Sequence, residues 1–310
     1  MLQLLLFIIA LLAGFAIMIK SADVVTDHAS SISKKRGISE MTIGMILVAL
    51  ATSLPELGVS TTSAFFGKTD IALGNVLGSN VANIALVLGI CALIRPIEID
   101  RRAVEFDGFW MLISTAVVAF LMYIGDFGRI DGGISLLVFF VFIYFLRRNE
   151  KSGSVTEKSD ESILIDIVAS LVAGILVWIG SWLVMYGIEG FAEAFGVNPI
   201  YLALTVVALG TSLPELVVSV SALRKGMRSI SVGNLIGSNM FNLLIVLGLS
   251  SIIRPIPISP SIRTFYVPMV ILTSVLGVIF MRTGWEAKRW EGTVLLGLYV
   301  LFIFLIFQGY

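Results

Sequence analysis

Residues 46–60 read ILVALATSLPELGVS, and residues 204–219 read LTVVALGTSLPELVVS. Each is an apolar run interrupted by a Thr-Ser pair, a proline and a glutamate. Proline has no backbone N–H, and its ring clashes with the carbonyl four residues earlier, so Pro55 and Pro214 each predict a kinked or broken helix. The two copies lie 159 positions apart. The same shift aligns Thr52 with Thr211, Glu56 with Glu215, Gly74 with Gly233, Asn83 with Asn242 and Arg95 with Arg254, without a gap. Between Val48 and Ile97, 26 of 50 positions equal their partners, and apolar segments alike by chance would not hold Asn, Pro, Glu and Arg in register. The chain therefore carries an internal duplication. Residues 1–146 form one half and 163–310 the other, joined by 147–162, whose RRNEKSGSVTEKSDES is charged, Ser-rich and too short to fold alone.

The background of these runs decides the fold class. Of 310 residues 57% are hydrophobic and 14% charged, with a mean hydropathy of +1.00, whereas a soluble domain is about a quarter charged. Apolar stretches of about 20 residues, enough to cross a bilayer, fill most of the length. The period-two alternation of a membrane barrel is missing. The expected fold is an all-α, multi-pass membrane protein. Its zero net charge gives no footprint for nucleic acid. A single cysteine, Cys91, excludes a disulfide within the chain and reads as a small core residue; His28 lies in a polar stretch and reads as a surface or loop residue. One His and one Cys cannot build a zinc site, and no cofactor is expected.

Spans are expected near 2–19, 41–65, 71–93, 108–124, 132–147, 163–187, 199–222, 230–252, 264–281 and 292–308, ten in all. The first could be mistaken for a signal peptide, but no basic residue precedes it and it has a counterpart in the second half, so a true span is expected. Alternate loops collect Lys20, Lys34, Lys35, Arg36, Arg95, Arg101, Arg102, Arg147, Arg148, Lys151, Lys158, Arg224, Lys225, Arg228, Arg282, Lys288 and Arg289 on one side, 17 of the 21 basic residues. The positive-inside rule puts that side, with the linker, in the cytoplasm of a cell membrane. Both termini are then outside. Five spans per half turn the second half upside down, giving two inverted five-helix repeats with broken helices expected at spans 2, 3, 7 and 8.

Inverted repeats hold their substrate near the midplane, between broken helices. A second duplicated element belongs there: GNVLGSNVANI at 74–84 and GNLIGSNMFNL at 233–243. Gly74 and Gly78 let a neighbouring helix approach. Ser79 and Asn83, like Ser238 and Asn242, are four apart and point the same way. With Thr52, Ser53, Thr211, Ser212, Glu56, Glu215 and the carbonyls that the prolines free near Ala49 and Ala208, every donor is a hard oxygen, the class suited to Ca2+. Two carboxylates in apolar surroundings are costly and repel each other, and one divalent cation or several monovalent ones relieve both problems. Asn80 and Asn239 could touch an ion or bond a neighbouring helix. Asp107, Glu105, Asp166, Glu189 and Glu193 read as solvated span ends.

On the two TSLPE copies and the two GNxxGSNxxN copies, the chain resembles the sodium/calcium exchangers of the cation/Ca2+ antiporter superfamily over its whole length. The resemblance implies alternating access, with Na+ and Ca2+ as transported substrates and electrogenic exchange. It implies that Glu56 and Glu215 are shared by both ions and that the Thr52 and Thr211 carbonyls complete a Ca2+ site. Ser53, Ser79, Ser212, Ser238 and the Ala49 and Ala208 carbonyls would serve flanking Na+ sites, with Asn83 and Asn242 lining the centre. Potassium-dependent members carry an Asp at one of these Asn positions; two neutral amides imply K+ independence. The proton-coupled motif is absent. The short linker, without the large Ca2+-sensing region of animal exchangers, implies a prokaryotic protein. The rivals are an H+- or K+-coupled cation antiporter, a cation channel and, least supported, an intramembrane enzyme built on a Glu dyad. An exchanger, not an enzyme, is expected, and as a monomer.

Overall fold

The computed structural model describes residues 2–101, 103–149, 163–194 and 199–308; of residues 2, 103, 188, 189, 191–193 and 199–209 it describes the backbone alone. The linker from 150 to 162 lies outside the described residues. The chain is almost wholly helical: α1 (Leu2–Arg36), α2 in two halves (Glu40–Thr52 and Leu54–Phe65), α3 (Thr69–Ile94), α4 (Val104–Ile124), α5 (Arg129–Asn149), α6 (Ile163–Ala194), α7 (Pro199–Arg224), α8 (Arg228–Ile253), α9 (Ile262–Trp285) and α10 (Arg289–Phe307). Among the described residues eight helices are long and apolar enough to cross a membrane, or nine with α2 counted as one span; α7 is a further helix of 26 residues. Helices satisfy every backbone group internally, as lipid demands.

Burial sorts the helices. The apolar windows of α3 and α8 are 78% buried, against 22% for α1 and 28% for α10. The GNxxGSN segments thus form the middle of the bundle. Outward faces carry large apolar side chains such as Leu12, Phe120 and Leu137, each more than 60% exposed, the surface a lipid environment accepts.

Helices α1 and α6 run antiparallel along one side. Gly14 faces Gly180 and Val184, and Phe7 lies on Gly190. At the other end His28 Nδ1 is 2.7 Å, Lys35 Nζ 2.9 Å and Ser31 Oγ 3.3 Å from the Asp166 carboxylate. Expected as a span of residues 2–19, α1 instead continues to Arg36. Its polar second half is sustained by these bonds and by Lys225, just past the end of α7, which reaches Asp27 at 2.7 Å. His28 is therefore on a helix and not in a loop, and Asp166 is buried, as is Asp107. Glu105 is exposed and pairs with Arg101 at 2.8 Å, while the side chains of Glu189 and Glu193 lie outside the described residues.

The expected helix breaks are corrected in part. Only α2 is broken among the described residues, bending by 49° at Ser53 (φ −91°, ψ 8°). Helix α7 runs on through Pro214. Spans α3 and α8 are not broken but widened, with π-helical stretches at Ala82–Leu88 and Asn242–Val246. A π turn leaves backbone groups without α-helical partners while keeping the span continuous, and such turns concentrate at functional sites.

Contacts recur with the two halves exchanged. Asn75 Nδ2 donates to Ser60 Oγ at 2.9 Å, and Asn234 Nδ2 to Ser219 Oγ at 3.0 Å. Ser79 and Thr211 hydroxyls are 3.2 Å apart, and those of Thr52 and Ser238 3.4 Å. Thr115 meets Ser274, and Asn239 meets the Asn80 carbonyl, both at 3.4 Å and both between positions 159 apart.

Candidate cation site

Pro55 fixes the local chain. The first half of α2 ends at Thr52, and Pro55 lies in the first turn of the second half with Glu56 beside it. The Ala51 carbonyl, deprived of its helical donor by Pro55, faces Gly174 of α6, where an added Cβ would come within 2.8 Å of it. The close approach explains the glycine. Ala49 behaves differently from expectation. Its carbonyl is not freed but accepts from Ser53 N–H at 2.9 Å, with the Thr52 hydroxyl 3.3 Å away. On the opposing helix the surroundings of Ala208 lie outside the described residues.

Glu56 and Glu215 are both fully buried, at 0% exposure, and each sits close enough to feel the other's charge or the other half's hydroxyls. Glu215 Oε1 accepts from Ser53 Oγ at 3.1 Å and Ser238 Oγ at 3.4 Å, the first bond crossing between halves. Its Oε2 and both oxygens of Glu56 have no partner in hydrogen-bonding geometry, although the Ser79 and Thr211 hydroxyls lie beside Glu56. The same holds for both polar atoms of the Asn83 and Asn242 amides and for the Ser212 hydroxyl. Buried polar atoms are nearly always satisfied, so this concentration of unmatched oxygen marks a place built for something other than protein. No Lys, Arg or His is among the fully buried described residues, so no side chain supplies the missing positive charge. Groups of three or more His, Cys, Asp or Glu are likewise absent among the described residues; two carboxylates stand alone among hydroxyls and amides.

The structure thus links Thr52, Ser53, Ser79, Thr211, Glu215 and Ser238 by hydrogen bonds, with Glu56 buried beside Ser79, Thr211 and Glu215 and with Asn83 and Asn242 buried in the π turns of α3 and α8. Two residues not singled out from the sequence join them. Asn75 and Asn234, the first asparagines of the GNxxGSN copies, are 3% and 0% exposed and brace the glutamate helices. Their duplication was visible; nothing in the sequence separated them from packing residues. The Asn239 amide donates to the Asn80 backbone carbonyl, a bond to a neighbouring helix, whereas the Asn80 amide donates within its own helix to the Val76 carbonyl at 2.8 Å; the Oδ1 of each has no partner.

A multi-pass helical membrane protein with two buried carboxylates at its centre is the class that fold and site define. The sodium/calcium exchanger protein family model matches residues 6–147 and again 165–308. The chain is 33% identical to sodium/calcium exchanger MaX1 of Methanosarcina acetivorans, over 96% of this chain and 97% of that protein. It is 31% identical to inner membrane protein YrbG of Escherichia coli, over 96% and 95%. A solved structure of the sodium-calcium exchanger NCX_Mj superposes with a TM-score of 0.85 at 28% identity, covering 96% of this chain and 97% of that one. The protein belongs to the sodium/calcium exchanger family.

Proposed function

We propose that the protein is a Na+/Ca2+ antiporter that works by alternating access and is independent of K+. The observation that carries this reading is the facing pair Glu56 and Glu215, one from each half, buried without a cationic side chain. Ionised carboxylates at a membrane centre cost about 2.5–3.5 kcal/mol each. One Ca2+ cancels the two charges; several Na+ exceed them. The same cage therefore accepts either load in turn. Its donors, the Glu56 and Glu215 carboxylates, the Thr52 and Thr211 carbonyls, the hydroxyls of Ser53, Ser79, Ser212 and Ser238 and the Asn83 and Asn242 amides, are all hard oxygens. The Ala49 carbonyl joins them when the Thr52 hydroxyl turns away, and Ala208 is its counterpart.

Alternating access is supported by the exchanged contacts between halves and by the duplication, which favour two inverted five-helix repeats, 1–146 and 163–310, rocking about a central site. A channel of this chemistry needs no fused inverted copy. K+ independence follows from Asn83 and Asn242 being neutral, so no third carboxylate balances an added K+. The basic loops place the linker in the cytoplasm and both termini outside. Na+ entering down its gradient then drives Ca2+ out, with net charge movement.

Ligand binding raises thermal stability by mass action. In detergent, Ca2+ is expected to raise the melting temperature, and Na+ to abolish that rise by competition. A Ca2+ effect indifferent to Na+ would contradict a shared site.

A further inference from the structure

The two halves are alike in sequence at the site and unlike in one set of bonds. Asn75 and Asn234 share one bond, from Nδ2 to Ser60 or Ser219. Ser60 donates its own proton to the Ala72 carbonyl at 3.3 Å, so it must accept from Asn75, which fixes that amide's orientation. The rest differs. Asn234 Oδ1 receives the Thr52 hydroxyl at 3.0 Å, across the boundary between halves. Asn75 instead donates to the Glu56 carbonyl of its own half at 3.3 Å, and its Oδ1 accepts nothing. Thr211, the residue equivalent to Thr52, bonds Ser79. The asymmetry coincides with the backbone: α2 is broken next to Thr52, the residue Asn234 holds, while α7 continues as one helix through Thr211.

We propose that Asn75 and Asn234 are reciprocal positioning residues for transport, each latching the other half's threonine in one of the two facing states. In a protein whose halves exchange roles, bonds present in both halves persist through the cycle and bonds present in one half switch sides. The Asn–Ser bond belongs to the first kind; the Asn–Thr bond and the bond from Asn75 to the Glu56 carbonyl belong to the second. In the state described here, Asn234 anchors Thr52 at the end of the first half of α2. In the opposite state Asn75 Oδ1 receives the Thr211 hydroxyl and Asn234 lets Thr52 go. Neither amide needs to touch an ion. Each acts by setting where the threonine carbonyl and the adjacent glutamate point.

The inference rests on the alternating-access reading, and its test separates the two. Half-maximal Ca2+ concentrations are measured from each face in oriented proteoliposomes for wild type and the isosteric variants Thr52→Val and Thr211→Val, each of which removes the latch bond from one state only. One lost buried hydrogen bond biases a two-state equilibrium about fivefold. The ratio of the two faces' half-maximal concentrations is expected to move about fivefold in opposite directions for the two variants. Asn75→Ala and Asn234→Ala each remove a switching bond from both states, a threonine bond in one and a glutamate-carbonyl bond in the other, and are expected to leave the ratio near its wild-type value. Shifts of the same sign, or equal weakening on both faces, would overturn the latch while leaving exchange standing. Absence of Na+-driven Ca2+ flux in the wild type would instead remove the transport reading itself.

Discussion

Glu56 and Glu215 were legible as a pair because an ionisable residue stands out in an apolar run and because the pair is repeated in register. What the residues alone did not convey is their inequality. Glu215 is held by Ser53 and Ser238, whereas neither oxygen of Glu56 accepts a bond. That difference accompanies the bend of α2 at Ser53, which α7 does not repeat, and to which two identical TSLPE strings are blind. Glu56→Gln and Glu215→Gln each leave one negative charge to balance a divalent ion. Removing one partner of a buried charge pair costs about 3 kcal/mol or more, so Ca2+ affinity is expected to fall by at least about a hundredfold, with Na+-dependent flux abolished. Both variants should elute as folded protein on size-exclusion chromatography. Ordinary flux in either would place the cation elsewhere.

At the scale of elements, apolar run lengths located the helices, since a helix long enough to span is also a helix long enough to see. The failures have physical causes. The expected span ends at residue 19 because SADVVTDHASSISKKR is polar, but Asp166 of α6 and Lys225 beyond the end of α7 pair with side chains there and the helix continues to Arg36. Pro55 and Pro214 both predict a break, yet only α2 bends, by 49°, while α7 continues through Pro214, because a proline at an interior helix position kinks a helix only as far as its surroundings let it. The Lys35–Asp166 pair, with side chains 7% and 6% exposed, ties α1 to α6. Asp166→Ala leaves Lys35 without its carboxylate, and is expected to lower unfolding stability by about 2 kcal/mol, between the values for exposed and fully buried pairs. A thermal melt in detergent checks this, and an unchanged midpoint would mean that the zipper of Gly14, Gly180 and Val184 suffices.

For the whole molecule, duplication and charge asymmetry were readable from the chain, and the family follows from both halves matching one model. The contacts that join the halves, Thr52 with Ser238 and Ser79 with Thr211, were not readable, because no local pattern says which faces meet. They put oxygen donors from both halves around two carboxyl groups, and no Lys, Arg or His is among the fully buried described residues. The most direct test is 45Ca2+ uptake by proteoliposomes under imposed Na+, K+ and H+ gradients in turn. Outward Na+ gradients are expected to drive uptake above the leak, with no requirement for K+ and no drive from H+ alone. Uptake that ignores the Na+ gradient, or that strictly needs K+ or H+, would contradict a two-carboxylate Na+/Ca2+ exchanger.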